Sequence, residues 1–298
     1  HELLSLPAKM FPDKEALNFF GSEMTFWELR DRVMRFANAL EALGVQKGDR
    51  VGIHLPNIPQ YSIAYFASLS VGAVVVNLNP LYTADELKAI ASNTGLTVLI
   101  TFDMVLPVIS ALLAQVEIPK VIVTKVTDFI KGTEVSTAES LELEKGWHHF
   151  STLIDGVASP RRCRVQVNPE DPALIQFTGG TTGIPKGAVL THATMVAATF
   201  QCSLWGNPII SPIPPERRSV IAVLPFFHVY GNVVVLNWAT FSCATQILIP
   251  RFDIEEVMNL LAGLEEITFF PTVPTIINAI INHPRVEELG LDRKLGLL

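Results

Sequence analysis

Phe26, Leu29, Val33, Phe36, Ala37, Leu40 and Leu43 recur at the three- and four-residue spacing of one helical face. Thr25 followed by Glu28 makes a capping box before them and Gly44 a stop after them, which predicts an amphipathic helix bounded at both ends. Residues 51–55 then read as a strand after the Lys47-Gly48-Asp49 turn, residues 58–70 as a buried helix and residues 73–77 as a core strand. Thr83 with Glu86 caps a second helix ending near Gly95, and apolar runs at 97–101 and 120–124 continue the alternation. Residues 125–166 are more polar and lack a period, as a surface excursion would. Beyond it the pattern resumes with strands at 173–177 and 187–190, a helix at 191–204, and strands at 220–224 and 246–249. A helix capped by Asp253 and Glu256, a strand at 267–270 and a helix at 272–282 follow, and the proline-rich residues 207–215 read as a loop. No internal repeat interrupts this order.

Strand and helix alternating in this way predict an α/β fold, two subdomains with mostly parallel sheets flanked by helices, at residues 1–165 and 166–298. The length agrees, since 298 residues suffice for about two domain-sized units with a sizeable core. Residues 51–84 contain no Asp, Glu, Lys or Arg, but Pro56, Pro59, Gly72, Asn77, Asn79 and Pro80 cut the run into pieces too short to span a bilayer. No transmembrane segment is predicted.

With 49% hydrophobic and 17% charged residues the chain is globular, and a formal charge of −7 offers no basic surface for nucleic acid. Cys163, Cys202 and Cys243 are odd in number and far apart, which suggests neither a disulfide framework nor a zinc site and fits a reducing, cytoplasmic setting. The first residue is His1, so the native N-terminus with any targeting peptide is expected to lie outside this sequence.

Candidate chemistry concentrates in Phe177-Thr178-Gly179-Gly180-Thr181-Thr182-Gly183-Ile184-Pro185-Lys186-Gly187. Glycines free the backbone, threonines add hydroxyl donors and the lysine adds one positive charge, the groups a polyphosphate needs. The P-loop pattern G-x-x-x-x-G-K-[ST] does not fit: Pro185 precedes the lysine, Gly187 follows it, and Ala188-Val189-Leu190 reads as strand where that motif needs a helix. The loop is therefore expected to join two strands, with anion binding from amides, hydroxyls and Lys186 and no helix dipole directly behind it. Glycine and threonine also suit a plain hairpin, which the loop alone leaves open.

The string resembles the phosphate-loop signature of the acyl-adenylate-forming enzymes, which include acyl-CoA synthetases, luciferases and peptide-synthetase adenylation domains. Its two glycines after the first threonine are similar to the fatty-acyl-CoA synthetase form. Residues 44–51 (GVQKGDRV), 55–57 (LPN), 72–82 (GAVVVNLNPLY) and 224–231 (LPFFHVYG) resemble further segments of that family in its order. The resemblance implies ATP, Mg2+ and coenzyme A as cofactors, a fatty acid as substrate, and an AMP-forming acid–thiol ligase as the activity. It implies phosphate contacts from Thr178, Gly179, Gly180, Thr181, Thr182, Gly183 and Lys186, with Gly179 standing where many members carry serine. It implies that His228 orients the carboxylate and that Tyr230, Asn232, Val233 and Val273 wall the acyl pocket. No metal ligand is assigned.

No serine, cysteine or lysine has the neighbours of an activated covalent nucleophile, and a carboxylate attacking ATP needs none. The family's Tyr-Gly-x-Thr-Glu, its Thr-Gly-Asp and its small C-terminal domain with a catalytic lysine are not found. The chain is therefore expected to be most of a large N-terminal domain, inactive alone. Transfer to another carboxylate or to an acyl carrier, and nucleotide binding without turnover, stay open, as do a homodimer and a peripheral membrane contact.

Overall fold

A computed structural model describes residues 2–131, 142–178, 186–264 and 267–290. Among the described residues the strands form two sheets. The larger orders its strands β7 (Trp147–His149), β6 (Lys120–Thr124), β5 (Val98–Phe102), β3 (Arg50–Ile53), β4 (Val74–Asn77), β8 (Pro172–Thr178) and β9 (Lys186–Thr191). All neighbours are parallel except β8 and β9, which are antiparallel. The smaller orders β10 (Ser219–Ala222), β11 (Thr245–Leu248), β1 (Glu15–Phe19) and β2 (Ser22–Thr25), with β10, β11 and β1 parallel.

The helices α1 (Glu2–Met10), α2 (Phe26–Ala42), α3 (Pro59–Ser70), α4 (Ala84–Thr94), α5 (Leu106–Leu113), α6 (Phe150–Asp155), α7 (His192–Ile210), α8 (Trp238–Phe241), α9 (Ile254–Gly263) and α10 (Pro274–Ile281) cover these sheets. The capping boxes at Thr25/Glu28 and Thr83/Glu86 both form, and Gly95 ends α4 in the left-handed conformation at φ 63°. Alternate residues of the larger sheet enter different cores because strand side chains alternate. Val75, Ile100 and Ile122 pack with α2 and α3, whereas Val76, Leu99, Val121 and Val123 pack with α4 and α5. α3 is buried along nearly its whole length, which explains a run without charges.

The sheets do not part the chain at residue 165. β8 and β9 complete the sheet of the first half, and the β1–β2 hairpin, absent from the sequence-based element list, joins that of the second half. The polar stretch after residue 125 also holds β7 and α6, whose Phe150 ring packs against that of Phe36 at 4.2 Å between centroids. α7 runs through Pro208 to Ile210, so the expected loop at 207–215 begins only after that residue; Pro208 forfeits its own N–H bond, but so close to the helix end any kink disturbs only the last turn. The expected strand at 267–270 reduces to a bridge between Phe269 and Val220. No described helix is long and apolar enough to cross a membrane.

Candidate functional site

The carboxyl ends of parallel strands and the loops after them form the natural crevice of an open α/β sheet. β8 ends there at Thr178 and β9 starts at Lys186; the two residues are register partners, and both are exposed. A hydroxyl and an ammonium therefore stand side by side at one end of a hairpin, and α7 begins only at His192. The helix dipole is not directly behind Lys186, as the strand-like Ala188-Val189-Leu190 predicts. Gly179, Gly180, Thr181, Thr182 and Gly183 lie outside the described residues.

β10 leads into a compact turn carrying His228. The His228 N–H donates to Pro225 O at 3.1 Å, and the Asn232 N–H donates to His228 O at 2.8 Å. Gly231 is required where the turn closes, because a Cβ there would stand 2.2 Å from Pro225 O. The Tyr230 N–H makes a long 3.4 Å bond to His228 Nδ1, so a neutral ring carries its proton on Nε2. His228 is exposed, and its Nε2–H is a donor suited to a carboxylate oxygen.

The proposed wall residues occupy unlike positions. Tyr230 is 40% exposed at the turn. Val233 is 8% exposed within the π-helical segment Gly231–Asn237. Val273 is the N-cap of α10, and its carbonyl bonds stay with Ile276 and Ile277 of that helix. Asn232 is fully buried, with its amide donating to Phe226 O at 3.3 Å and its Oδ1 accepting from Asn237 at 3.0 Å, so it faces the interior.

Beneath the turn lie four buried side chains that sequence reasoning did not single out. Asn57 donates to Ala222 O (2.8 Å) and Leu224 O (2.9 Å) and accepts from the Phe226 N–H (2.8 Å), acting as a piece of strand backbone. Tyr61 Oη lies 2.6 Å from Asn77 Oδ1 and 2.9 Å from Phe226 O, and burial pushes its pKa well above 10, keeping it a donor. Asn77 donates to Gln176 Oε1 at 3.0 Å, and Gln176 donates to Phe227 O at 3.1 Å. Their signal was legible: Asn57, Tyr61 and Asn77 are polar residues inside the charge-free run at 51–84, where burial demands partners.

Other chemistry stays apart. His54, past the end of β3, is bonded to Thr101 Oγ1 and Asn79 O at 3.1 Å each, and burial lowers its pKa to about 4. The three cysteines are free, and burial pushes their thiols up, Cys163 to about 11. Among the described residues no group of three His, Cys, Asp or Glu could hold a metal ion.

The family model described as AMP-binding enzyme matches residues 5–296. The chain belongs to the AMP-binding enzyme family. It is 32% identical over 299 residues to a long-chain-fatty-acid–CoA ligase of Bacillus subtilis, matching 97% of this chain and 52% of that protein. It is 29% identical over 293 residues to 4-coumarate–CoA ligase 2 of rice, matching 98% of this chain and 50% of that protein. The chain thus spans about half the length of the curated relatives it matches. ATP-bound MatB from Rhodopseudomonas palustris shares the fold at a TM-score of 0.78 and 24% identity, covering 97% of this chain and 52% of that one. Membership accounts for the ordered segments at 44–51, 55–57, 72–82 and 224–231, two of which hold Asn57 and Asn77.

Proposed function

We propose that the full-length protein is an ATP-dependent acyl-CoA synthetase of the fatty-acid type. One observation carries this reading: Gln176, on the strand ending in Thr178, donates to the carbonyl just before the exposed His228. A phosphate-binding pair and a carboxylate-orienting imidazole thereby share one support. The Bacillus subtilis relative supports a long-chain acid.

The His228 Nε2–H holds one carboxylate oxygen of the acid while the other attacks the α-phosphorus of ATP. A new P–O bond forms, the bond to the β-phosphate oxygen breaks, and pyrophosphate leaves with the electron pair. The Lys186 ammonium and Thr178 hydroxyl offset the charge on the leaving group. The thiol sulfur of coenzyme A then attacks the acyl carbonyl, the C–O bond to AMP breaks, and the thiol proton is released. Magnesium would add charge neutralisation on the nucleotide phosphates; no described residue is assigned to it. Tyr230, Val233 and Val273 line the acyl side, with Asn232 as internal support. The reading carries a cytoplasmic location, and the chemistry requires neither a homodimer nor a membrane contact.

In the full-length protein, acid-dependent exchange of labelled pyrophosphate into ATP is expected, with the acyl-CoA thioester as product. Lys186→Ala is expected to slow that exchange about 100-fold. Absence of exchange in the wild type, or an unchanged rate in the variant, overturns the proposal. The rice relative favours an aromatic carboxylate as the second reading, and exchange rates over fatty and aromatic acids separate the two.

A further inference from the structure

We propose that Gln176 is a positioning residue that couples the phosphate-binding hairpin to the His228 turn, so that the two halves of the adenylation site keep one relative geometry. The inference rests on the function proposed above.

Gln176 lies on β8 two residues before Thr178, and it is buried. Its backbone is already part of the sheet, in register with Ala188 of β9. The side chain is thus not needed to build the sheet. A buried primary amide is costly unless bonded, and an apolar side chain of similar length would fill the space without that demand. Here both ends of the amide are used. Oε1 accepts from Asn77 Nδ2 at 3.0 Å, while Nε2 donates to Phe227 O at 3.1 Å and to Phe177 O at 3.3 Å.

The acceptor matters more than the number of bonds. Phe227 O belongs to the peptide unit whose nitrogen is that of His228, so the bond fixes the plane from which the imidazole springs. The His228 N–H of the same unit is held by Pro225 O. Asn77 ends β4, and its Oδ1 receives the Tyr61 hydroxyl from α3 at 2.6 Å, so the amide is itself held in orientation. The chain of contacts runs from α3 through β4 to β8 and then to the turn; the bonds from Tyr61 to Asn77 and from Asn77 to Gln176 are buried, and the last, to Phe227 O, is partly buried. Such connected polar networks specify a single arrangement.

The test is a double-variant cycle in the full-length protein, using Gln176→Met, His228→Ala and both together. Gln176→Met keeps the length of the side chain, removes its hydrogen bonds and adds no charge. Acid-dependent pyrophosphate exchange is expected to fall about 10- to 100-fold in Gln176→Met, the scale for a misplaced group outside the chemistry. ATP binding by calorimetry is expected to stay within about 3-fold, and the double variant to be no slower than His228→Ala alone, because residues acting as a unit are not additive. Losses that multiply in the double variant, ATP affinity lost together with rate, or a wild-type rate in Gln176→Met would each overturn the inference. If Gln176→Met does not fold, Gln176→Glu, which retains the bond from Asn77, replaces it in the cycle. Failure of the wild type to exchange would sink the proposed function instead, so the two failures are distinct.

Discussion

His54 shows how a residue without an assigned reaction still shapes the behaviour of this chain. Its ring is fully buried and bonded to Thr101 Oγ1 and Asn79 O, and burial holds its pKa near 4 against an ordinary 6.5. Between those values the unfolded chain binds the proton and the native chain does not. Stability contributed by the neutral ring is therefore present above about pH 6.5 and is lost as pH falls toward about 4. About 2 kcal/mol of it should disappear between about pH 7 and about pH 5. Urea midpoints at the two pH values check this; His54→Gln, which can serve both partners without titrating, should shrink the difference. Equal pH dependence in the two proteins would refute it. The sequence identifies the histidine but not its burial, which depends on Thr101 arriving from a neighbouring strand.

At the scale of elements, the turn from Pro225 to Gly231 shows why one small residue is indispensable. The first turn of the π-helical segment presses its backbone against Pro225 and Leu224, and a methyl at residue 231 would overlap carbonyl oxygens of both. Backbone cannot yield as a flexible side chain can, so Gly231→Ala must open the turn. We expect a destabilisation of about 1–3 kcal/mol and loss of acid-dependent exchange beyond what the stability loss explains. Thermal melting and exchange rates on the same samples test this, and a variant with wild-type values in both excludes it. The helices were legible because their determinants lie within a few turns: the caps of α2, α4 and α9 form where Thr25, Thr83 and Asp253 predict. β1 and β2 were not, since short strands carry little local signal and β11, the partner that joins β1 to the sheet, lies far along the chain.

For the whole molecule, the strand order decides what can fold alone. A cut at residue 165 would strip β8 and β9 from the larger sheet and leave β11 without β1. The hydrophobic core agrees, since Phe36 and Tyr65 share one cluster with Val220, Leu236 and Leu261. Residues 1–165 and 166–298 expressed separately are therefore expected to lack the cooperative melting of the 298-residue chain. Two independent sharp transitions matching the intact protein would show the division to be real. The local pattern of this chain was enough to assign an α/β class, the capped helices and the pairing of β8 with β9, because periodicity, caps and glycine spacing act over roughly a dozen residues. Which sheet each strand joins, and the meeting of Gln176 with Phe227 and of Asn57 with Leu224, were decided only in three dimensions. Those bonds join residues 51 and 167 positions apart, and a buried amide finds its partner through the packing of whole strands and helices.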